Sequence, residues 1–391
     1  HVFVTDLPDT KSAHLDPEHS ETIRTTLPLV GENIETITRV FYSKMFAAHP
    51  ELISDLFNRG NQKQGAQQKA LAASVATFAS QLVDPSAPDP VMMLDRIAHK
   101  HVSLGIAPDQ YQIVHDNLMA AIVDVLGDAV TPEVAEAWDK VYWLMADALI
   151  KHEAKLYASD NVTPSEVFRT ATVTEKKKLS DDVTAYTLTG DLSVPRPGQY
   201  TSVGVKLPDG ARQLRQYSII GGDANHYRIA VLTEGEVSTF LRDNIEVGDT
   251  VDATLAAGDL VLHEGDNPVV LISSGIGSTP MVGILGHLAA EETNRKVTYI
   301  HADVSEESWA QREESRELIA TIADATMRVT FRDAGQRVNI AEYDLAGADV
   351  CLCGGVTFLQ ARRADIEALP ADKSPKGVYF ELFSPNDWLV G

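Results

Sequence analysis

The apolar positions follow two rules along the chain. From residue 16 to about 158 they return every three or four residues, the period of a helix face. Beyond about residue 165 they alternate, or run in short blocks broken by Gly, Pro and Asp, as strands do. In the first regime Asp16-Pro17 reads as an N-cap and first helical residue, opening a helix to about Val30. Gly31 separates it from a second helix carrying Ile34, Ile37, Phe41, Tyr42, Met45 and Phe46, which His49-Pro50 ends. A short irregular stretch carries Leu56 and Phe57. A third helix is expected from about Gln62 to Val83, with Gln67, Leu71, Val75, Phe78 and Leu82 on its stripe. The proline-rich run 84–90 breaks the pattern. A short helix over 95–104 follows, its stripe formed by Leu94, Ile97, His101 and Leu104, with His99 turned roughly to the other side. Pro108-Asp109 begins a helix with Tyr111, Val114, Leu118, Ile122 and Val125 on one face. Thr131-Pro132 caps the longest, whose stripe is Trp138, Tyr142, Met145, Leu149, Glu153 and Leu156.

The polar, proline-containing run 158–165 marks a domain boundary. Strands are expected at 167–173, 183–188, 200–205 and 227–232, with Arg215-Gln216-Tyr217-Ser218 leading into Ile219-Ile220; short alternating strands of this kind suggest an antiparallel barrel. Gly235-Glu236-Val237-Ser238-Thr239 reads as a loop opening a helix, where free N–H groups suit an anion, or where Ser238 is simply a cap. Pro268–Ser274 is a strand running into Gly275-Ile276-Gly277-Ser278-Thr279-Pro280, a glycine turn and helix start. Further strands at 297–301, 327–331, 350–353 and 378–382, with helical stretches between them, point to a parallel α/β sheet.

Four polar residues break the rule in the helical half: Gln67, His101, Tyr111 and Glu153 each continue an apolar stripe. Any one is an ordinary stripe end, a core histidine or a tyrosine reaching water. A carboxylate buried like Glu153 is costly without a partner, so four exceptions together suggest a shared polar cluster or a cofactor. The net charge of -23 argues against nucleic acid and anionic membrane surfaces. Cys351 and Cys353 form neither a disulfide framework nor a C-x-x-C site, which fits a reducing, cytoplasmic setting. No signal peptide and no apolar run near the roughly 20 residues of a membrane span is found.

The helical half resembles the globin domain of the flavohaemoglobins. The resemblance rests on Val40–Phe46, Asn61–Leu71, Ile97–Ser103 and Pro108–Tyr111. It implies His101 as the proximal iron ligand, Tyr111 and Glu153 as its hydrogen-bonding pair, Tyr42, Gln67 and Leu71 as the distal pocket, and Phe57 packed on the haem. Lys100, beside the ligand, falls near the haem edge on the same reading, or is a solvated lysine. Arg196–Tyr200, Arg215–Ser218 and the Val237 loop resemble the flavin domain of the ferredoxin–NADP reductase family. That implies FAD contacts from Tyr200, Arg215, Gln216, Tyr217, Ser218, Val237, Ser238 and Thr239. Gly275–Pro280, Cys353-Gly354-Gly355 and Glu381-Leu382-Phe383-Ser384-Pro385 resemble that family's nicotinamide domain. Cys353 and Gly354 then lie near the nicotinamide, Phe383 over the flavin, and Glu381 near the electron path. Three departures stand out: Gly355 where proline is common, and Leu382 and Ser384 where Cys and Gly are frequent.

The expected architecture is therefore multidomain: an all-α globin domain over 1–158, an antiparallel β-barrel FAD domain over 165–262 and an α/β parallel-sheet NAD(P)H domain over 263–391. The resemblance implies haem b, FAD and NAD(P)H as cofactors and O2 and nitric oxide as small-molecule substrates. It leaves room for a lipid in the distal pocket and needs no stable protein partner. The implied activity is nitric oxide dioxygenation to nitrate. The alternatives are a haem/flavin hydroperoxide reductase, and an oxygen or redox sensor, for which the chain offers no output domain. Ser305 and Arg312 favour a 2′-phosphate while Glu306 and Glu307 repel one, leaving NADH and NADPH both open.

Overall fold

The computed structural model describes Pro8 and residues 14–56 and 70–382. Phe57, Gln67, Phe383, Ser384 and Pro385 lie outside the described residues, as does the side chain of Leu382. The chain divides into two compact units, residues 2–167 with 206–214, and residues 168–205 with 215–390.

The helical unit holds α1 (Pro17–Glu32), α2 (Ile34–Ala48), α3 (Glu51–Asp55), α4 (Ala70–Val83), α5 (Val91–Ser103), α6 (Gln110–Leu126) and α7 (Pro132–Ser159). The caps act as the sequence predicts. Asp16 accepts from the His19 N–H at 2.9 Å, and Thr131 Oγ1 from the Val134 N–H, each followed by proline at the first helical position. The expected break at Gly31 is displaced: α1 runs through it to Glu32, and the turn falls at Asn33. One glycine costs a helix only about 1 kcal/mol, and the buried stripe of Ile23 and Val30 holds the last turn in place. The core is the set of predicted stripes: Ile37, Phe41 and Met45 from α2, Phe78 from α4, Leu94 from α5, Leu118 from α6, and Trp138, Met145 and Leu149 from α7, all buried. Trp138 donates Nε1–H to Thr26 on α1, so its indole is buried without a stranded donor.

The second unit opens with β1 (Phe168–Lys178), β2 (Val183–Thr189), β3 (Tyr200–Lys206), β4 (Arg212–Gly222), β5 (His226–Leu232), α8 (Glu236–Asn244) and β6 (Thr250–Thr254). The strands close a barrel in the order β1-β2-β5-β4-β3-β6. β6 is the strand the periodicity does not announce: it is five residues long and carries Asp252 between Val251 and Ala253. It is fixed from both sides, antiparallel to β1 and to β3, and so closes the barrel.

A five-stranded parallel sheet follows, built from β7 (Val269–Ser274), β8 (Val297–Asp303), β9 (Ala325–Phe331), β10 (Asp349–Gly354) and β11 (Gly377–Leu382) in the order β11-β10-β7-β8-β9. Between the strands run α9 (Ser278–Ala290), α10 (Arg312–Thr321) and α11 (Val356–Glu367). Alternation sorts the strand side chains. Val269, Leu271, Cys351 and Cys353 pack with Met281, Leu285 and Leu288 of α9, whereas Val270, Ile272, Val350 and Leu352 pack with Leu359 and Ile366 of α11. The two cysteines are thus core residues on one face. Arg295 ties the other end of the sheet, meeting Asp349 at 2.8 Å and the carbonyls of His263 and Asn267 at 2.7 Å each. No helix among the described residues is long and apolar enough to cross a membrane.

Candidate functional site

The helical unit brings three of its four stripe-breaking residues together. His101 is in the last turn of α5, Tyr111 in the first of α6, and Glu153 near the end of α7. The Tyr111 hydroxyl donates to Glu153 Oε2 at 2.6 Å. His101 Nδ1 lies 2.9 Å from the Tyr111 oxygen and 3.2 Å from the same Glu153 oxygen. Burial first, and then the charge of Glu153, push the Tyr111 hydroxyl well above its ordinary pKa, so it keeps its proton and donates a hydrogen bond to the carboxylate. Both oxygens near Nδ1 are therefore acceptors. Nδ1 must be the protonated nitrogen, which leaves a lone pair on Nε2. Nε2 makes no hydrogen bond among the described residues, and the His101 side chain is 30% exposed while Glu153 is 4%. An imidazole fixed in this tautomer, with its far nitrogen open, is the donor a haem iron requires.

Two further tyrosines hold this arrangement, Tyr142, which the helical pattern placed only as an apolar stripe member, and Tyr157, which it did not single out. Tyr142 donates to the Tyr111 carbonyl at 2.6 Å, and Tyr157 to the Ile106 carbonyl at 2.7 Å in the α5–α6 turn. Their hydroxyl partners are main-chain atoms, which side-chain spacing does not reveal. Lys100 is half-buried one residue before His101. On the other candidate side, Tyr42 is 6% exposed, in tilted contact with Phe41 and stacked on Phe46 at 5.5 Å. Leu71 is half-buried in the first turn of α4, its carbonyl accepting from Ser74 at 2.7 Å.

In the barrel, β4 presents Arg215, Gln216 and Tyr217 half-buried and Ser218 buried. Gln216 Nε2 donates to Ser202 on β3 at 3.0 Å, and Arg215 lies 4.0 Å from Glu236 at the start of α8. The N-cap is Gly235, and Ser238, at the third helical position, reaches back: its Oγ accepts from the Glu234 and Gly235 N–H groups at 2.9 and 3.0 Å. The hydroxyl is thereby committed within the loop, and the N–H groups of the first turn of α8 are what remain for an anion, with Val237 buried beneath and Thr239 beside them. Tyr200 is 7% exposed, and the backbone of Gly258 closes on its ring.

At the C-terminal edge of the parallel sheet, Cys353 is in register with Ser273 on one side and Glu381 on the other. Gly277 sits directly over β10, where a Cβ would fall 2.5 Å from the Cys353 carbonyl oxygen, and Gly275 takes φ +53. The turn is built for backbone approaching backbone, and Ile276, Gly277, Ser278, Thr279 and Pro280 carry it into α9. Ser278 donates to Gln311 and Thr279 to the Ile276 carbonyl. The Cys353 thiol itself points into the core with Met281, whereas Gly354 ends β10 and buried Glu381 stands one residue before the end of β11.

A globin family model matches residues 39–149. The flavohemoprotein of Bacillus subtilis is 34% identical over 396 residues, covering 95% of this chain and 98% of that protein. That of Deinococcus radiodurans is 37% identical over 400 residues, with the same coverage. The chain belongs to the flavohemoprotein family. It is a globin–reductase oxidoreductase. Among solved structures, the Malassezia yamatoensis flavohemoglobin, determined with bound FAD and heme, aligns with a TM-score of 0.87 at 33% identity, over 95% of this chain and all of that one. The FAD/NAD-binding domain of the Vibrio cholerae nitric oxide dioxygenase aligns with a TM-score of 0.50 at 31% identity, over 55% of this chain and 98% of that one. The family thus unites the two units: the globin match falls on the helices, and the Vibrio domain accounts for about the share of the chain that the barrel and parallel sheet occupy.

Proposed function

We propose that the chain is a nitric oxide dioxygenase that binds haem, FAD and NAD(P)H and turns nitric oxide and O2 into nitrate. The single observation that carries this is the His101–Tyr111–Glu153 cluster. An oxygen store needs a neutral histidine; here a buried carboxylate accepts from that histidine and enriches its electrons. When bound, the cofactors supply the redox chemistry: hydride from NAD(P)H, single electrons through the flavin and O2 binding at iron.

The residues divide the remaining work. His101 offers Nε2 to the iron, and Tyr111 and Glu153 hold its ring in one tautomer and one orientation. Tyr42 supplies a hydrogen-bond donor on the opposite side of the pocket and Leu71 keeps that side narrow and dry, while the roles of Gln67 and Phe57 are only what the family resemblance implies. Arg215, Gln216, Tyr217 and Ser218 line the flavin, and the first turn of α8 receives its pyrophosphate. Gly275 to Pro280 receive the nicotinamide cofactor's pyrophosphate, with Gly354 and Glu381 beside its reactive end. The name of the Vibrio relative supports the same activity.

The rival activity is hydroperoxide reduction, because an electron-rich haem ligand also favours O–O cleavage. Comparing NADH oxidation by the purified enzyme with nitric oxide in air against cumene hydroperoxide separates them. Nitric oxide should be the faster substrate by at least tenfold, with nitrate formed mole for mole; a faster hydroperoxide reaction would overturn the assignment.

A further inference from the structure

Behind the proximal cluster lies a second one that this function does not use. Asp95 and His99 are one turn apart on α5, and His152 of α7 packs against both. His152 Nε2 is 2.8 Å and His99 Nε2 3.4 Å from the same oxygen, Asp95 Oδ1. The two rings stand 6.3 Å apart at 75°. One donor atom from each residue lies within 4.8 Å of the others, and Asp95, His99 and His152 are 1%, 7% and 1% exposed.

Two imidazoles and a carboxylate are the donors a borderline cation such as zinc takes. Zinc bonds of about 2.0–2.1 Å in a tetrahedron put neighbouring ligand atoms about 3.3 Å apart. The 2.8 and 3.4 Å separations from Asp95 lie on either side of that value, and the two histidine donors lie within 4.8 Å of each other, so small shifts bring all three onto one ion. Nδ1 of His152 is buried with no hydrogen bond. Its Nε2 faces the Asp95 carboxylate and carries the ring proton, which a cation taking Nε2 would shift to Nδ1 or release. His99 and His152 each adjoin a proximal residue in sequence, two before His101 and one before Glu153.

We propose that Asp95, His99 and His152 form a site for a divalent transition cation, separate from His101, which clasps α5 to α7. The test uses the full-length holoprotein, treated with EDTA, dialysed against zinc sulfate and freed of unbound metal. Metal analysis should find about one zinc per chain beyond the haem iron. The zinc K-edge absorption spectrum should show two imidazoles and oxygen at about 2.0 Å. His152→Gln should lower zinc affinity at least 100-fold, while His115→Gln, which alters a more exposed histidine–carboxylate cluster, should leave it unchanged. Zinc should also raise the melting temperature of the wild type and not of His152→Gln. No zinc above the EDTA-treated level, equal zinc in wild type and His152→Gln, or a spectrum without imidazole would overturn the proposal. The wild-type spectrum decides even where a variant fails to fold.

Discussion

Glu153 does more than any other residue to distinguish this site from a simple oxygen-binding pocket. It accepts a hydrogen bond from the Tyr111 hydroxyl and faces the His101 N–H, so two hydrogen bonds to a charge end on one buried oxygen. A hydrogen bond to a charged group contributes about 1.5–3 kcal/mol. Glu153→Gln keeps the size and removes the charge. It should lower the iron–histidine stretching frequency of the reduced protein by resonance Raman, and cut nitric oxide turnover roughly 10- to 100-fold. An unchanged frequency would mean that the carboxylate does not reach the iron through His101. His101→Ala should lose haem and keep FAD, read from the absorption spectrum; haem at full occupancy would move the ligand elsewhere. Tyr42→Phe should release O2 about tenfold faster by flash photolysis, the loss of one hydrogen bond worth about 1.4 kcal/mol. The proximal cluster was legible because burying a polar group is costly: His101, Tyr111 and Glu153 each stand where the stripe calls for an apolar side chain. Asp95, His99 and His152 were not. They lie off their helices' predicted stripes and look solvated until α5 and α7 pack together across 57 residues of sequence.

Among the elements, the parallel sheet makes the sharpest demands. The Cys351 thiol is pushed up to about 12 by burial and then by Asp349, and Cys353 well above its usual value by burial and then by Glu381. Raised thiol pKa values mean that the protonated form stays bound in the fold below the unfolded value of about 8.5 and up through the folded one. Neither cysteine should react with a thiol reagent at pH 8 in the native protein, and both should react in denaturant. Rapid native labelling would place a thiol at the surface rather than in the α9 core. Gly277→Ala drives a Cβ onto the Cys353 carbonyl, which is main chain and cannot rotate away. The variant should raise the KM for NADH at least fivefold and unfold at lower temperature, by roughly 1–3 kcal/mol of overpacking. The strands of this sheet were legible because buried parallel strands are continuous apolar runs. β6 was not, since its place comes from β1 and β3 rather than from its own five residues.

For the whole molecule, the change of period near residue 160 announces the passage from helices to barrel, and the observed elements follow it: α7 ends at Ser159 and β1 begins at Phe168. Fold class is legible at this scale because each architecture imposes its own repeat on the apolar positions. What period cannot give is which polar atoms meet: in the loop before α8, open in the sequence to an anion or to capping, the Ser238 hydroxyl closes its own turn. The net charge of -23 sets the electrostatics of the whole surface without specifying any site. We propose that one chain carries electrons from NADH to a haem ligated by His101 and delivers them to the reaction of O2 with nitric oxide. This is tested most directly by the absorption spectrum of the purified protein, taken alone, after NADH without air, and after nitric oxide with air. The expected result is haem and flavin bands together, reduction of the haem by NADH, and reoxidation with nitrate equal to the nitric oxide consumed. Flavin without haem, or a haem that NADH leaves oxidised, would contradict it.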